Sequence, residues 1–288
     1  MLAYIVKSFF WLISWLPQRA RLMCGSVIGR FCFTCIPRRR AVIEQNITLC
    51  FPHLSQVQRQ ALSRETQENV GVGIFEWAMA WFRSDSYMRK IVRVDGFAEV
   101  RNAVNAGRGV LVVLPHFTHM TVVIRMCAML LPIHLLHRVQ GQEWVQQLST
   151  MARDKHRCQS IQQYDMRRLL RVLQAGGIVV VLPDHDMGLK RSVFAPFFGV
   201  QAATVTSVAK LAANTGAAVI PVAMARSNDA RYVMAFGAAF HDFPSGDAVA
   251  DARQMNAVFE SYIAQCPGQY YWCHRRFKTR PVGEAAIY

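Results

Sequence analysis

The run Val110 to Thr121, VLVVLPHFTHMT, carries a β-branched apolar stretch that ends in His116 just where a helix-like pattern begins. A second run, IVVVLP from Ile178 to Pro183, delivers Asp184, His185 and Asp186 to the same kind of edge. Open α/β folds place their chemistry at the carboxyl ends of strands. An imidazole there can act as a general base, because its unperturbed pKa lies near neutrality and a ring nitrogen can accept a hydroxyl proton. Taken alone, a histidine at such a position is as readily structural. His119 nearby and the matching Asp184 edge favour the functional reading.

These residues need elements to position them. From Ala41 to Phe82 the apolar spacing is helical, with Ser55 placed to cap a helix that starts after Phe51-Pro52. Beyond Arg93 the pattern changes to alternating units. Strands are predicted at Val110 to Leu114, Ile133 to His137, Ile178 to Leu182, Ala218 to Ala223 and Tyr232 to Phe236. Helices are predicted over Thr118 to Leu131, Glu143 to Arg153, Asp165 to Ala175, Thr206 to Thr215 and Ala248 to Gln265. Gly176-Gly177 and Gly216 fall where helices give way to strands, the place of a C-terminal cap. The expected fold is α/β, a mostly parallel central sheet flanked by helices, with an N-terminal helical membrane anchor.

The chain has 288 residues, enough for one sizeable core, and no linker-like tract divides it. Lys and Arg total 33 against 18 acidic residues, a formal charge of +15, which points to an anionic partner. No zinc-finger spacing, basic zipper or RNA-binding aromatic signature accompanies that charge, so a nucleic-acid partner is not expected. No GxGxxG, Walker loop or HExxH is present, leaving nucleotide and zinc-hydrolase mechanisms without support. Eight scattered cysteines do not form a disulfide framework and read as reduced thiols; Cys32 and Cys35 read as packing residues.

The N-terminal stretch Leu2 to Leu16, LAYIVKSFFWLISWL, is short of the ~20 residues that cross a bilayer and is interrupted by Lys7. No cleavage-site pattern follows it. Trp11, Trp15 and Phe9-Phe10 suit an interfacial anchor, and Arg19, Arg21, Arg30 and Arg38 to Arg40 suit a cytoplasmic flank. The alternative is a buried first helix. Residues 1–40 are expected to form the anchor and its basic flank, and 41–288 the functional domain.

Two longer motifs resemble a known family. PDHDMGLKRSVFAPFFGVQAATVTSVAKLAANTGAAVIPV (Pro183 to Val222) and PGQYYWCHRRFKTRP (Pro267 to Pro281), with NITLCFP (Asn46 to Pro52), resemble the late lauroyl/myristoyl acyltransferases of lipid A biosynthesis. The likeness runs essentially the whole length of the chain. It implies transfer of a fatty acyl chain from acyl carrier protein to a hydroxyl of an anionic lipid acceptor, a lipid A precursor, at the cytoplasmic face of the bacterial inner membrane. It implies no metal and no cofactor. It assigns His116 as catalytic base, with Arg153 and Asp184 as essential polar residues. Lys190, Arg191, Arg275 and Arg276 fall in basic stretches suited to phosphate or carrier-protein acids.

One position departs from the pattern. The family places a carboxylate five residues after its histidine, and this chain has Thr121 there. A threonine hydroxyl orients a ring but stabilises an imidazolium poorly. Asp186, Glu76, Asp184 itself and His119 are the candidates to take over that support. Without a substitute, the scaffold would be a silent lipid-binding relative or would act on a different acceptor. Trp77, Trp81, Phe82, Phe197 and Phe198 read either as core or as lining for an acyl chain.

Overall fold

The structure, a computed structural model, describes residues 2–137 and 143–288. Its helices are α1 (Leu2–Ser14), α2 (Gln18–Cys35), α3 (Pro37–Cys50), α4 (Gln56–Phe82), α5 (Asp85–Ile91), α6 (Ala98–Asn105), α7 (Met120–Leu130), α8 (Glu143–Asp154), α9 (Met166–Gln174), α10 (Ser207–Thr215) and α11 (Ala248–Gln265). Its strands are β1 (Val92–Asp95), β2 (Val110–Val113), β3 (Ile133–His137), β4 (Cys158–Gln162), β5 (Ile178–Val181), β6 (Ser192–Phe197), β7 (Val200–Val205), β8 (Ala218–Arg226) and β9 (Tyr232–Phe236). Seven strands form one sheet in the order β1-β9-β8-β2-β5-β3-β4, parallel except where β8 meets β9.

The central strands are apolar on both faces because helices cover both faces. Leu111, Val113, Val179, Val181 and Val219 point into one core; Val110, Val112, Ile178, Val180 and Ile220 point into the other. That alternation is the two-residue period of a strand. Trp81 and Phe197 lie deep in these cores. Trp77, Phe82 and Phe198 pack at their margins. The aromatics of the sequence thus serve chiefly as core.

The register of β2 and β5 decides where the chemistry sits. Val113 pairs with Val181, and each strand then continues through Leu-Pro to an ionisable residue three positions on. His116 and Asp184 therefore leave neighbouring parallel strands at one level.

Ser55 opens α4 with a reciprocal capping box with Gln58, as its spacing predicts. Gly216 caps α10 with a left-handed φ of 67°. Not predicted are helices α5 and α6, strands β1 and β4, and the β6–β7 hairpin. Strand β1, VRVD, is short and charged at alternate positions, and β4, CQSIQ, is mostly polar with Ile161 as its one β-branched residue. The β6–β7 hairpin turns on Phe198-Gly199 at φ of 49° and 77°, a tight turn that usually advertises itself with Asn-Gly.

At the N-terminus, no helix among the described residues is long and apolar enough to cross a membrane. The segment packs against α4. In α2 the buried stripe is Arg21, Gly25, Gly29 and Phe33, at four-residue spacing. A Cβ on Gly29 would come within 2.2 Å of the Gln67 carbonyl oxygen, and one on Gly71 within 2.1 Å of that of Gly25. The backbones of α2 and α4 touch there, and only glycine fits. Cys32 and Cys35 lie off that stripe and are exposed, which corrects the expectation that they pack.

Candidate active site

His116 is mostly buried, and Asp184 is almost completely so. The His116 ring meets Asp184 through Nδ1 and Oδ1 at 2.5 Å, and the His116 backbone N–H donates to Asp184 Oδ2 at 2.8 Å. The Tyr270 hydroxyl donates to the same Oδ2 at 2.9 Å. Burial alone pushes the Asp184 carboxyl up, but the His116 charge and these hydrogen bonds outweigh it and hold the group well below the usual carboxylate range. An ionised Asp184 only accepts, so Nδ1 is the donor and Nε2 carries the lone pair. A general base requires that arrangement.

The carboxylate that meets His116 is thus Asp184, which arrives from the neighbouring strand. Thr121 is buried on α7. Asp186 is committed elsewhere: its carboxylate accepts from the Thr279 backbone N–H at 2.6 Å, the Thr279 hydroxyl at 2.8 Å and the Gly188 N–H at 2.9 Å. Glu76 binds Arg226 and Tyr232.

His119 is likewise a supporting residue of another kind. It is fully buried, stacked on Phe117, with Nε2 3.0 Å from Gln269 Oε1. The Gln269 amide is oriented by Arg226, whose backbone N–H donates to Oε1 and whose carbonyl accepts from Nε2, both at 2.9 Å. His119 must then donate from Nε2 and is neutral, its pKa pushed down to about 4 chiefly by burial. Burial of a neutral imidazole makes stability depend on pH. The unfolded chain takes up the proton first, near pH 6.5, so the contribution of His119 is fully present above 6.5. It is lost as the pH falls toward 4, by an amount on the order of 3 kcal/mol. Melting midpoints measured from pH 7 to 4.5 should fall less steeply in His119→Gln than in the native chain; equal slopes would refute this.

The C-terminal tail closes the site. Tyr271 N–H donates to the His116 carbonyl at 2.8 Å, and Thr118 N–H donates to the Gln269 carbonyl at 2.9 Å. Tyr270, missed in the sequence, reaches Asp184 because this short pairing holds the tail against residues 116–118. His185 and His274 also gather here. The His185 ring stacks on His116 with centroids 3.6 Å apart, and His274 sits 3.4 Å from His185 and 5.3 Å from His116. Both are neutral near pH 7, pushed down to about 4 and about 3 by burial and by neighbouring imidazoles. The Arg39 guanidinium lies near enough to oppose protonation of His274.

The basic residues divide. Lys190, Arg191 and Arg275 are exposed. Arg276 is not available to a substrate: it is buried and donates to the Ala203 carbonyl at 2.7 Å and to Thr204 Oγ1 at 2.9 Å. Its alternation with Arg275 in the tail explains the difference. Arg153 is buried at the end of α8, where Nη2 reaches Thr150 Oγ1 at 3.4 Å and burial lowers its pKa. Cys158 and Asp154 partly offset that burial.

An oriented imidazole at a sheet edge fits acyl transfer to a hydroxyl, and comparison with known proteins agrees. Residues 1–279 match the family described as bacterial lipid A biosynthesis acyltransferase. The chain is 35% identical to the lipid A biosynthesis palmitoleoyltransferase of Escherichia coli K12, over all of this chain and 94% of that protein. It is 32% identical to the lauroyltransferase of the same organism, again over all of this chain and 94% of that one. Among solved structures, the 1-acyl-sn-glycerophosphate acyltransferase PlsC of Thermotoga maritima matches 88% of this chain and 99% of its own at TM-score 0.40 and 12% identity, too distant to bear on the site. The chain therefore belongs to the bacterial lipid A biosynthesis acyltransferases.

Proposed function

We propose that this enzyme transfers a fatty acyl chain from acyl carrier protein to a hydroxyl of a lipid A precursor, with His116 as general base. The observation that carries the reading is the buried Asp184 carboxylate on His116 Nδ1. Nε2 takes the acceptor proton as the oxygen attacks the thioester carbonyl. The tetrahedral oxyanion then collapses, the carbon–sulfur bond breaks, and the departing thiolate takes the proton back from the imidazolium. Asp184 stabilises that imidazolium between the two transfers.

Lys190, Arg191 and Arg275 are assigned to acceptor phosphates or carrier-protein acids, which their exposure allows. Arg153 keeps a supporting role that the family resemblance gives it. We place the enzyme on the cytoplasmic face of the inner membrane. Of nineteen exposed large hydrophobic residues among those described, ten lie between Ile5 and Ile36, Trp11, Trp15 and Phe31 among them, a distribution that suits helices resting in the interface.

The test is transfer of a labelled acyl chain from acyl carrier protein to a lipid A precursor. The native chain should be active and His116→Ala should lose on the order of 10²–10⁴ in rate. Thr121→Glu should bring no gain, since Asp184 already supports the base. An inactive native chain that Thr121→Glu rescues would overturn this reading, and so would transfer unaffected by His116→Ala.

A further inference from the structure

We propose that His116, His185 and His274 bind one divalent transition-metal ion, zinc above all, and that this occupancy competes with the base. One ligand atom from each imidazole lies within 4.8 Å of the others. Tetrahedral zinc with Zn–N bonds of about 2.0–2.1 Å needs donors roughly 3.3 Å apart, so the three must close by about an ångström or less each. Their segments allow that motion. His185 stands in the irregular stretch between β5 and the turn at Leu189–Arg191, and His274 in the irregular tail. The stacked rings of His116 and His185 fan apart by side-chain rotation, turning their lone pairs toward a common point.

Two further observations point to a metal. His185 Nε2 is buried and has no hydrogen-bond partner, so a donor atom of the cluster is unused by the fold. Asp184 on His116 Nδ1 is the carboxylate–imidazole pairing that orients metal-bound histidines from behind and leaves Nε2 for the ion. The cations nearby do not forbid a dication. Arg276 and Arg39 both oppose added positive charge there, and the ionised Asp184 on His116 offsets them. Neutral imidazoles favour zinc, copper, nickel and cobalt over magnesium or calcium.

Binding at Nε2 removes the lone pair that accepts the acceptor proton, so zinc should inhibit reversibly. That consequence rests on the reading of His116 as base; the binding does not. The experiment is titration of the purified full-length chain with Co²⁺ in place of zinc, followed by visible absorption and by equilibrium dialysis with Zn²⁺. The expected result is one ion per chain with intense tetrahedral bands, no near-ultraviolet thiolate charge transfer, and at least a tenfold loss of affinity in His185→Gln and His274→Gln. Circular dichroism confirms that those variants are folded; if either is not, the native spectrum decides alone. Weak octahedral bands, thiolate charge transfer from Cys32 and Cys35, or affinity unchanged in folded variants would overturn the proposal. Binding without inhibition of transfer would instead refute the role given to His116.

Discussion

Asp184→Asn should lower the rate of acyl transfer by on the order of 10³–10⁴ with little change in fold, as the equivalent amide swap does in serine proteases. The size follows from how the carboxylate is surrounded. Oδ2 already accepts the His116 backbone N–H and the Tyr270 hydroxyl, so an amide NH₂ placed there would face two donors. The amide must turn its NH₂ toward the Oδ1 site, against His116 Nδ1. The ring then has to accept at Nδ1 and carry its proton on Nε2. A base whose lone pair points into the protein cannot take the acceptor proton. Steady-state rates, with circular dichroism as control, check this. A variant within tenfold of the native rate would mean that Asp184 is only structural.

The largest effect on stability is expected at Glu76. Its side chain is 3% exposed and its Arg226 partner 9%, with Oε1 accepting from Nη1 at 2.5 Å and from the Tyr232 hydroxyl at 2.8 Å. Arg226 also donates to Asn69. Glu76→Ala strands a buried guanidinium, which costs about 3–5 kcal/mol and lowers the melting temperature by roughly 5–10 °C for a chain of this size. Removing both charges in Glu76→Leu with Arg226→Met should recover most of that loss, because the stranded charge is then gone. A double variant as unstable as Glu76→Ala alone would show that packing, not charge, sets the cost.

Much of this was legible in the chain. The central strands announce themselves because continuous β-branched runs are read the same way wherever both faces are covered. The His116–Asp184 pair was nearly legible too. VVLP precedes both residues, and parallel strands paired at equal offset bring equal positions level. What sequence lacks is the pairing itself, so Asp184 stood only as one of several candidates beside Asp186 and Glu76. Tyr270 and His274 depend on how the tail returns from more than 80 residues away, and local spacing says nothing of that. Arg276 looked like Arg275 because a charge run does not reveal which members turn inward.

The glycine contact between α2 and α4 sets how the enzyme stands on its surface. Helix α4 carries Asn69, which holds the Gly268 carbonyl at the base of the tail, and Glu76, which ties down the end of β8. Helix α2 touches that same α4 backbone to backbone, through Gly25 and Gly29 against Gly71. The N-terminal segment is consequently a footing and not a leash: it cannot lengthen or swing without parting those backbones. Wherever its apolar side comes to rest, the altitude and tilt of His116 above that plane are preset by the fold. On the proposed reading of His116 as base, an acceptor hydroxyl has to be presented at that one height, and a lipid whose hydroxyl lies deeper or shallower stays out of reach, whatever its headgroup charge.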